Sequence, residues 1–116
     1  MKLMTKEVIR RLPPLYSHEH DAPEAVPIAV KFFTPDAQAT WYITEGAHDE
    51  EGEWRFFGLC DLGLGYPELG YVCLSELQKV RGRFGLPVER DRHYSGTLAD
   101  AMRECQYQQA ELKAKP

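Results

Sequence analysis

Residues Thr40–Thr44 read TWYIT, five positions at which β-branched and aromatic side chains follow one another without a glycine or proline. Such side chains suit a pleated, half-buried surface, so the stretch predicts a strand. Two segments of the same character flank it, Pro27–Phe33 (PIAVKFF) before and Glu53–Leu59 (EWRFFGL) after. Thr34-Pro35-Asp36 is the turn signal between the first pair. Gly46–Gly52 (GAHDEEG) reads as the connection between the second pair, and strand alternation puts Trp54 and Phe56 on one face. Beyond the glycine loop Gly63–Gly65, a fourth strand is expected at Glu68–Leu74 (ELGYVCL), where Leu69, Tyr71 and Cys73 alternate with Gly70 and Val72. Short connections favour an antiparallel meander.

Helix signals lie outside this block. Thr5 is placed to cap a short helix carrying Val8, Ile9 and Leu12, which Pro13 and Pro14 end because proline cannot donate to the helical ladder. Ser75 followed by Gln78 matches a capping box, predicting a helix over Glu76–Arg81 with Leu77 and Val80 inward and Gly82 as its left-handed cap. Thr97 and Asp100 form a second box, opening a helix whose Leu98, Met102 and Cys105 share one stripe. The expected fold is α+β: one domain over residues 1–116, an antiparallel sheet of about four strands, short helices packed on one face, and residues 110–116 a frayed tail.

A chain of 116 residues, 43% hydrophobic and 11% aromatic, is long enough to enclose one core without metal or disulfide staples. No apolar run reaches the ~20 residues that span a bilayer, and the first residues lack a secretory signal, so the expected location is cytoplasmic. Cys60, Cys73 and Cys105 are odd in number and widely spaced, which argues against a disulfide framework or zinc ribbon and for buried small hydrophobes. The net charge of −4 disfavours generalised nucleic-acid binding, which works by neutralising phosphates.

The stretch Tyr16–Asp21 (YSHEHD) raises the question of metal. If extended, His18 and His20 share a side, and Asp21 is a suitable third donor type. A catalytic zinc takes three protein ligands, however, and His48, Asp61 or His93 would have to come from elsewhere, so a polar loop is the better reading. Ser17 beside His18 and Cys60 beside Asp61 are neighbours in sequence without a nucleophile motif around them. Gly63, Gly65 and Gly70 lack the strand, glycine turn and helix of a phosphate cradle.

Charge is locally segregated. His48–Glu53 (HDEEGE) gathers Asp49, Glu50 and Glu51 at a hairpin tip, either as a solubilising loop or as a contact surface for a basic protein. The segment 79–92 carries Lys79, Arg81, Arg83, Arg90 and Arg92, suited to carboxylates or phosphates. Glu89 and Asp91 within it favour internal pairing over ligand binding. Glu45, Glu68, Glu76 and Glu89 stand at the ends of predicted elements, where convergence on one rim would supply an acid and a base.

From LPPLYS through KFFTPD, TWYITEG, FFGLCD, ELGYVCLSEL and GLPVERD, the chain resembles the small bacterial proteins grouped as domain of unknown function 2958. The family pattern falls on Trp41, Tyr42, Glu45 and Gly46, on Phe57 and Gly58, on Glu68, Gly70, Tyr71 and Glu76, and on Pro87, Glu89, Arg90 and Asp91. The HEH portion lies outside it. The resemblance implies a protein carried on plasmids, phages and other mobile elements, and it implies no particular activity. Glu45, Glu68, Glu89, Arg90 and Asp91 become the polar candidates for a shared site.

The expected function is therefore that of a small non-enzymatic binding or inhibitory protein, acting against a protein partner through Asp49–Glu51, Arg81, Arg83 or a sheet edge. No cofactor, catalytic residue or metal ligand is assigned, and membrane is not an expected partner. The alternatives are a hydrolase using clustered carboxylates and, less favoured, a nucleic-acid-binding module using residues 79–92. Oligomeric state is not legible in one chain.

Overall fold

The computed structural model describes residues 2–107. Five strands form one antiparallel sheet in the order β4-β3-β2-β1-β5: β1 Val30–Phe33, β2 Thr40–His48, β3 Trp54–Asp61, β4 Glu68–Cys73 and β5 Glu89–Arg90. Three short helices accompany it, α1 Lys6–Arg11, α2 Leu74–Lys79 and α3 Leu98–Glu104, with a 3-10 turn at Pro23–Ala25. The α+β expectation holds. The fifth strand, only two residues long and paired with Phe32 and Phe33, is too short to leave a sequence pattern. The expected fraying of 110–116 lies outside the described residues.

Burial follows strand alternation. One sheet face carries Val30, Phe32, Trp41, Ile43, Phe56 and Val72, covered by Val8 of α1 and Leu77 of α2. The other carries Tyr42 and Leu59, covered by Val26 and by Leu98 and Ala101 of α3. The helices thus divide between the two faces, where one covered face was expected, because Tyr42 and Leu59 extend a second apolar stripe on the outward side of the meander.

Gly58 fixes the spacing of β2 and β3. A Cβ built there would lie 2.0 Å from the Tyr42 carbonyl oxygen, so any larger residue must push the strands apart. Strand β2 also runs four residues past its sequence-based end. The register slips between Ile43 and Glu45, leaving Thr44 as the extra residue of a β-bulge, and pairing resumes through His48. Gly46, read from sequence as loop, is a ladder residue facing the Phe56 ring.

Two helix ends match their signals and one does not. The Thr5 side chain accepts from Val8 N at 3.2 Å, and Thr97 and Asp100 cap α3 reciprocally at 3.2 and 2.8 Å. For α2, the capping position is Cys73, whose N–H donates to Glu76 Oε1 at 2.8 Å. Ser75 lies inside the helix, donating from both N and Oγ to Glu53. Gly82 is not the helix cap either: α2 ends at Lys79 with Val80 as its C-cap, and Gly82 sits against the Asp36 carboxylate with no room for a Cβ.

Candidate functional site: a sheet-face cleft and an apolar loop end

The segment after α1 is stitched across the second sheet face. Gly46 N donates to the Pro13 carbonyl at 3.0 Å, and Tyr16 N donates to Glu45 Oε2. Tyr16 takes a left-handed backbone, φ 71°, at this junction. Together with the 3-10 turn and α3, this segment roofs a cleft of about 480 Å³. Its floor includes Thr44, Glu45, Phe57 and Leu69; Tyr16 and Tyr71 stand at its walls, and Leu98 and Met102 close the helix side.

Glu45 is 5% exposed. The bulge at Thr44 is what turns it to this face, since Glu45 pairs with Phe57 where unbroken alternation would point it the other way. Thr44 Oγ1 lies 3.4 Å from Glu45 Oε1 and 3.2 Å from the Phe57 carbonyl, either of which can accept its proton. Among the described residues the lining holds three carboxylates, Glu19, Asp21 and Glu45, and neither lysine nor arginine. Tyr71 packs edge-on against Phe57 with centroids 5.0 Å apart, and Arg55 covers its ring from 5.9 Å. A hydrogen bond to Tyr16 is the main cause holding the Tyr71 phenol above its usual range.

YSHEHD forms part of this roof as consecutive turns, where a shared side for its histidines required an extended chain. His18 Nδ1 bonds Asp21 Oδ2 at 2.9 Å, while the His20 side chain is turned to solvent, 3.8 Å from Glu19. Ser17 Oγ donates to the Pro14 carbonyl. Among the described residues no group of three histidine, cysteine or acidic side chains is placed to hold a metal.

The remaining candidates are dispersed. Glu68 pairs with Cys60 at the β4 edge and Glu89 with Phe33 on β5, the opposite edge, so neither meets Glu45. Glu76 is occupied in capping α2. The Arg90 guanidinium donates to the carbonyls of Lys2 and Leu3 at 2.7 and 3.3 Å. Asp91 accepts from His93 N at 2.9 Å and lies 4.0 Å from Lys31 Nζ. Asp49, itself exposed, shapes its turn by accepting from Glu51 N and Glu53 N at 2.9 and 3.0 Å, with Glu50 and Glu51 exposed beside it at the tip.

Sequence reading missed a feature at the end of the sheet. The β1–β2 turn is flanked on one side by the β3–β4 loop, where Gly63 abuts Gln38. On its other side the Asp36 carboxylate accepts from Phe84 N and Leu86 N at 2.6 and 3.1 Å, and the Asp36 carbonyl from Arg83 N at 3.2 Å. Leu62, Leu64 and Tyr66 project from the first loop and Phe84 and Leu86 from the second. Leu64, Tyr66 and Phe84 are 72, 77 and 79% exposed. Arg83 sits beside Phe84, and Arg81, exposed, donates to the Gln78 and Val80 carbonyls at 2.9 and 2.8 Å. The glycines at 63, 65 and 85, visible in the sequence, adopt positive φ and so mark the turns of these two loops.

The thiols are shifted away from nucleophilic use. Burial first, then Glu68 and Glu76, pushes Cys60 up to about 11, and burial with Asp61 does the same for Cys105. An activated thiolate requires the opposite shift.

No helix among the described residues is long and apolar enough to cross a membrane. No curated protein and no solved structure was found to match the chain. One family model does, over residues 3–107, a span that includes the cleft, the loop end and all five strands. The chain belongs to the family described as protein of unknown function (DUF2958).

Proposed function

We propose that this is a small binding protein that acts by stoichiometric contact with a protein partner, and that the loop end of the sheet is its docking surface. The observation that carries this reading is the concentration of Leu62, Leu64, Tyr66, Phe84 and Leu86, all exposed, on two loops braced against one turn. Large apolar side chains held outward by fixed loops lose little conformational freedom on association, and aromatic anchors dominate interface energies. Arg81 and Arg83 beside Phe84 give the surface a basic rim, which favours an acidic border on the partner. The family resemblance implies carriage on a mobile element, for which a component of host defence is the natural target and inhibition by occupancy the natural mode.

A carboxylate hydrolase is the weaker reading, because Glu45, Glu68 and Glu89 lie on different faces and edges of the sheet. The test is affinity capture from the native host with wild-type protein and with Phe84→Ser and Arg81→Glu/Arg83→Glu variants. One partner, retained by wild type at unit stoichiometry and lost with these variants while Glu50→Lys retains it, is the expected result. Capture indifferent to all of them removes the loop end as the docking surface.

A further inference from the structure

We infer that the cleft beneath Tyr16 is a binding site for an organic cation on an apolar stem, a guanidinium or alkylammonium group. This inference does not rest on the loop-end reading, since the cleft lies on a sheet face and shares none of its lining residues with the two loops.

Three independent features specify the ligand. The first is charge. Glu45 is almost wholly buried, and among the described residues no lysine or arginine lines the cleft and His18, the one potential cation there, is engaged by Asp21. A carboxylate offers about four lone-pair positions, and among the described residues Oε2 accepts the Tyr16 N–H while Oε1 has only the 3.4 Å approach of Thr44. Arg55 lies over Tyr71 at the wall and makes no hydrogen bond to Glu45, so a cationic donor entering the cleft can still complete the carboxylate's hydrogen bonding with charge-assisted bonds.

The second feature is the wall. Tyr71 and Phe57 present aromatic surface next to the carboxylate, and a cation over such a ring is attracted by its quadrupole. The fold already uses this contact, since Arg55 covers Tyr71 and Lys31 lies 4.7 Å from the Tyr94 ring centre on the same sheet face. The third is the apolar side. Val26, Leu69, Leu98 and Met102 line the remainder, matching methylene groups better than a hydrated metal ion, and the volume of about 480 Å³ exceeds that of a single ion. The ligand's charged head would thus lie toward Glu45 with its stem along α3.

Such a group can arrive on a basic peptide or as a free polyamine. The probe for the first is Nα-acetyl-arginine methylamide, for the second spermidine, each titrated into the purified, 15N-labelled full chain, with the citrulline analogue as neutral control. Saturable amide shifts confined to Tyr16, Thr44, Glu45 and Tyr71 are expected. The citrulline compound should bind at least about tenfold more weakly. Glu45→Gln should weaken the arginine probe comparably. Should that variant not fold, Tyr71→Ser, at a half-exposed position, still has to weaken binding severalfold. Whichever of arginine probe and spermidine binds more tightly identifies the source. Equal binding of arginine and citrulline, shifts centred on Glu50 and Glu51, or undiminished affinity in a folded Glu45→Gln or Tyr71→Ser protein would overturn the assignment. These measurements use no partner, so their failure leaves the loop-end reading standing.

Discussion

The Glu45 carboxylate accepts the backbone N–H of Tyr16 across 29 residues of sequence, joining the chain after α1 to the middle of the sheet. With the Gly46–Pro13 bond it ties the roof of the cleft to β2, at a point where Tyr16 takes a left-handed conformation that a tyrosine rarely adopts.

Removing the acceptor should therefore loosen the roof more than the sheet. Glu45→Ala leaves the Tyr16 amide without its partner and is expected to cost about 1 to 3 kcal/mol in urea unfolding, with Glu45→Gln costing less because it keeps an acceptor oxygen. Hydrogen exchange at Tyr16, Ser17 and Glu19 should rise in the alanine variant while Ile43 and Leu59 stay protected. Uniform acceleration across the sheet would show that the bond serves global stability instead.

Glycines 58 and 70 sit opposite one another in the β3–β4 ladder but should respond differently. A Cβ at Gly58 meets the Tyr42 carbonyl at 2.0 Å, whereas one at Gly70 meets nothing within 4 Å. Gly58→Ala should lose about 3 kcal/mol or more, or fail to fold, and Gly70→Ala should unfold within about 0.5 kcal/mol of wild type. Equal effects would contradict the strand spacing described above.

Asp36 and Gly82 form a second testable pair. A Cβ on Gly82 would come within 1.6 Å of Asp36 Oδ1, so Gly82→Ala should be destabilising alone and nearly neutral in an Asp36→Ala background. Asp36→Ala itself should expose the Phe84 and Leu86 amides to exchange. Strict additivity in the four-variant cycle would mean the two residues do not touch.

Much of the fold was legible because its signals are local. Thr5, Thr97 and Asp100 cap their helices within three residues, and TWYIT needed only its own composition to be a strand. The errors share a cause in longer-range structure. Gly46-Ala47-His48 continues β2 because a bulge at Thr44 resets its register, which glycine and charge in the sequence conceal. Ser75 resembles a helix cap but is committed to Glu53, 22 residues away, leaving the cap to Cys73. Of the charged residues that the family pattern singles out, Glu45 alone lines the cleft, because its environment depends on Tyr16, on the bulge and on α3 together. The loop end was invisible for the same reason: Leu64 and Phe84 are related only through the turn between them.

Alkaline pH should weaken the protein before it is chemically damaged. Burial raises Cys60 and Cys105 from 9.0 to about 11 and Tyr42 from 10.0 to about 12. The fold thus favours the protonated forms, and the unfolded chain releases these protons first. Stability from these groups is fully present below about pH 9 and is lost as pH rises through 11 to 12. In reductant, the denaturation midpoint should fall across that window, and Cys60→Ala should flatten the slope. A midpoint constant from pH 9 to 11.5 would contradict the burial of these groups.

The most direct measurement of the docking surface is site-specific photocrosslinking in the native host, with a photoreactive phenylalanine placed in turn at Tyr66, Phe84 and Glu50. Tyr66 and Phe84 should each yield the same single protein adduct of defined mass, and Glu50, at the acidic hairpin tip, should not. Adducts formed from Glu50 alone, or equally from all three positions, would contradict recognition through the loop end.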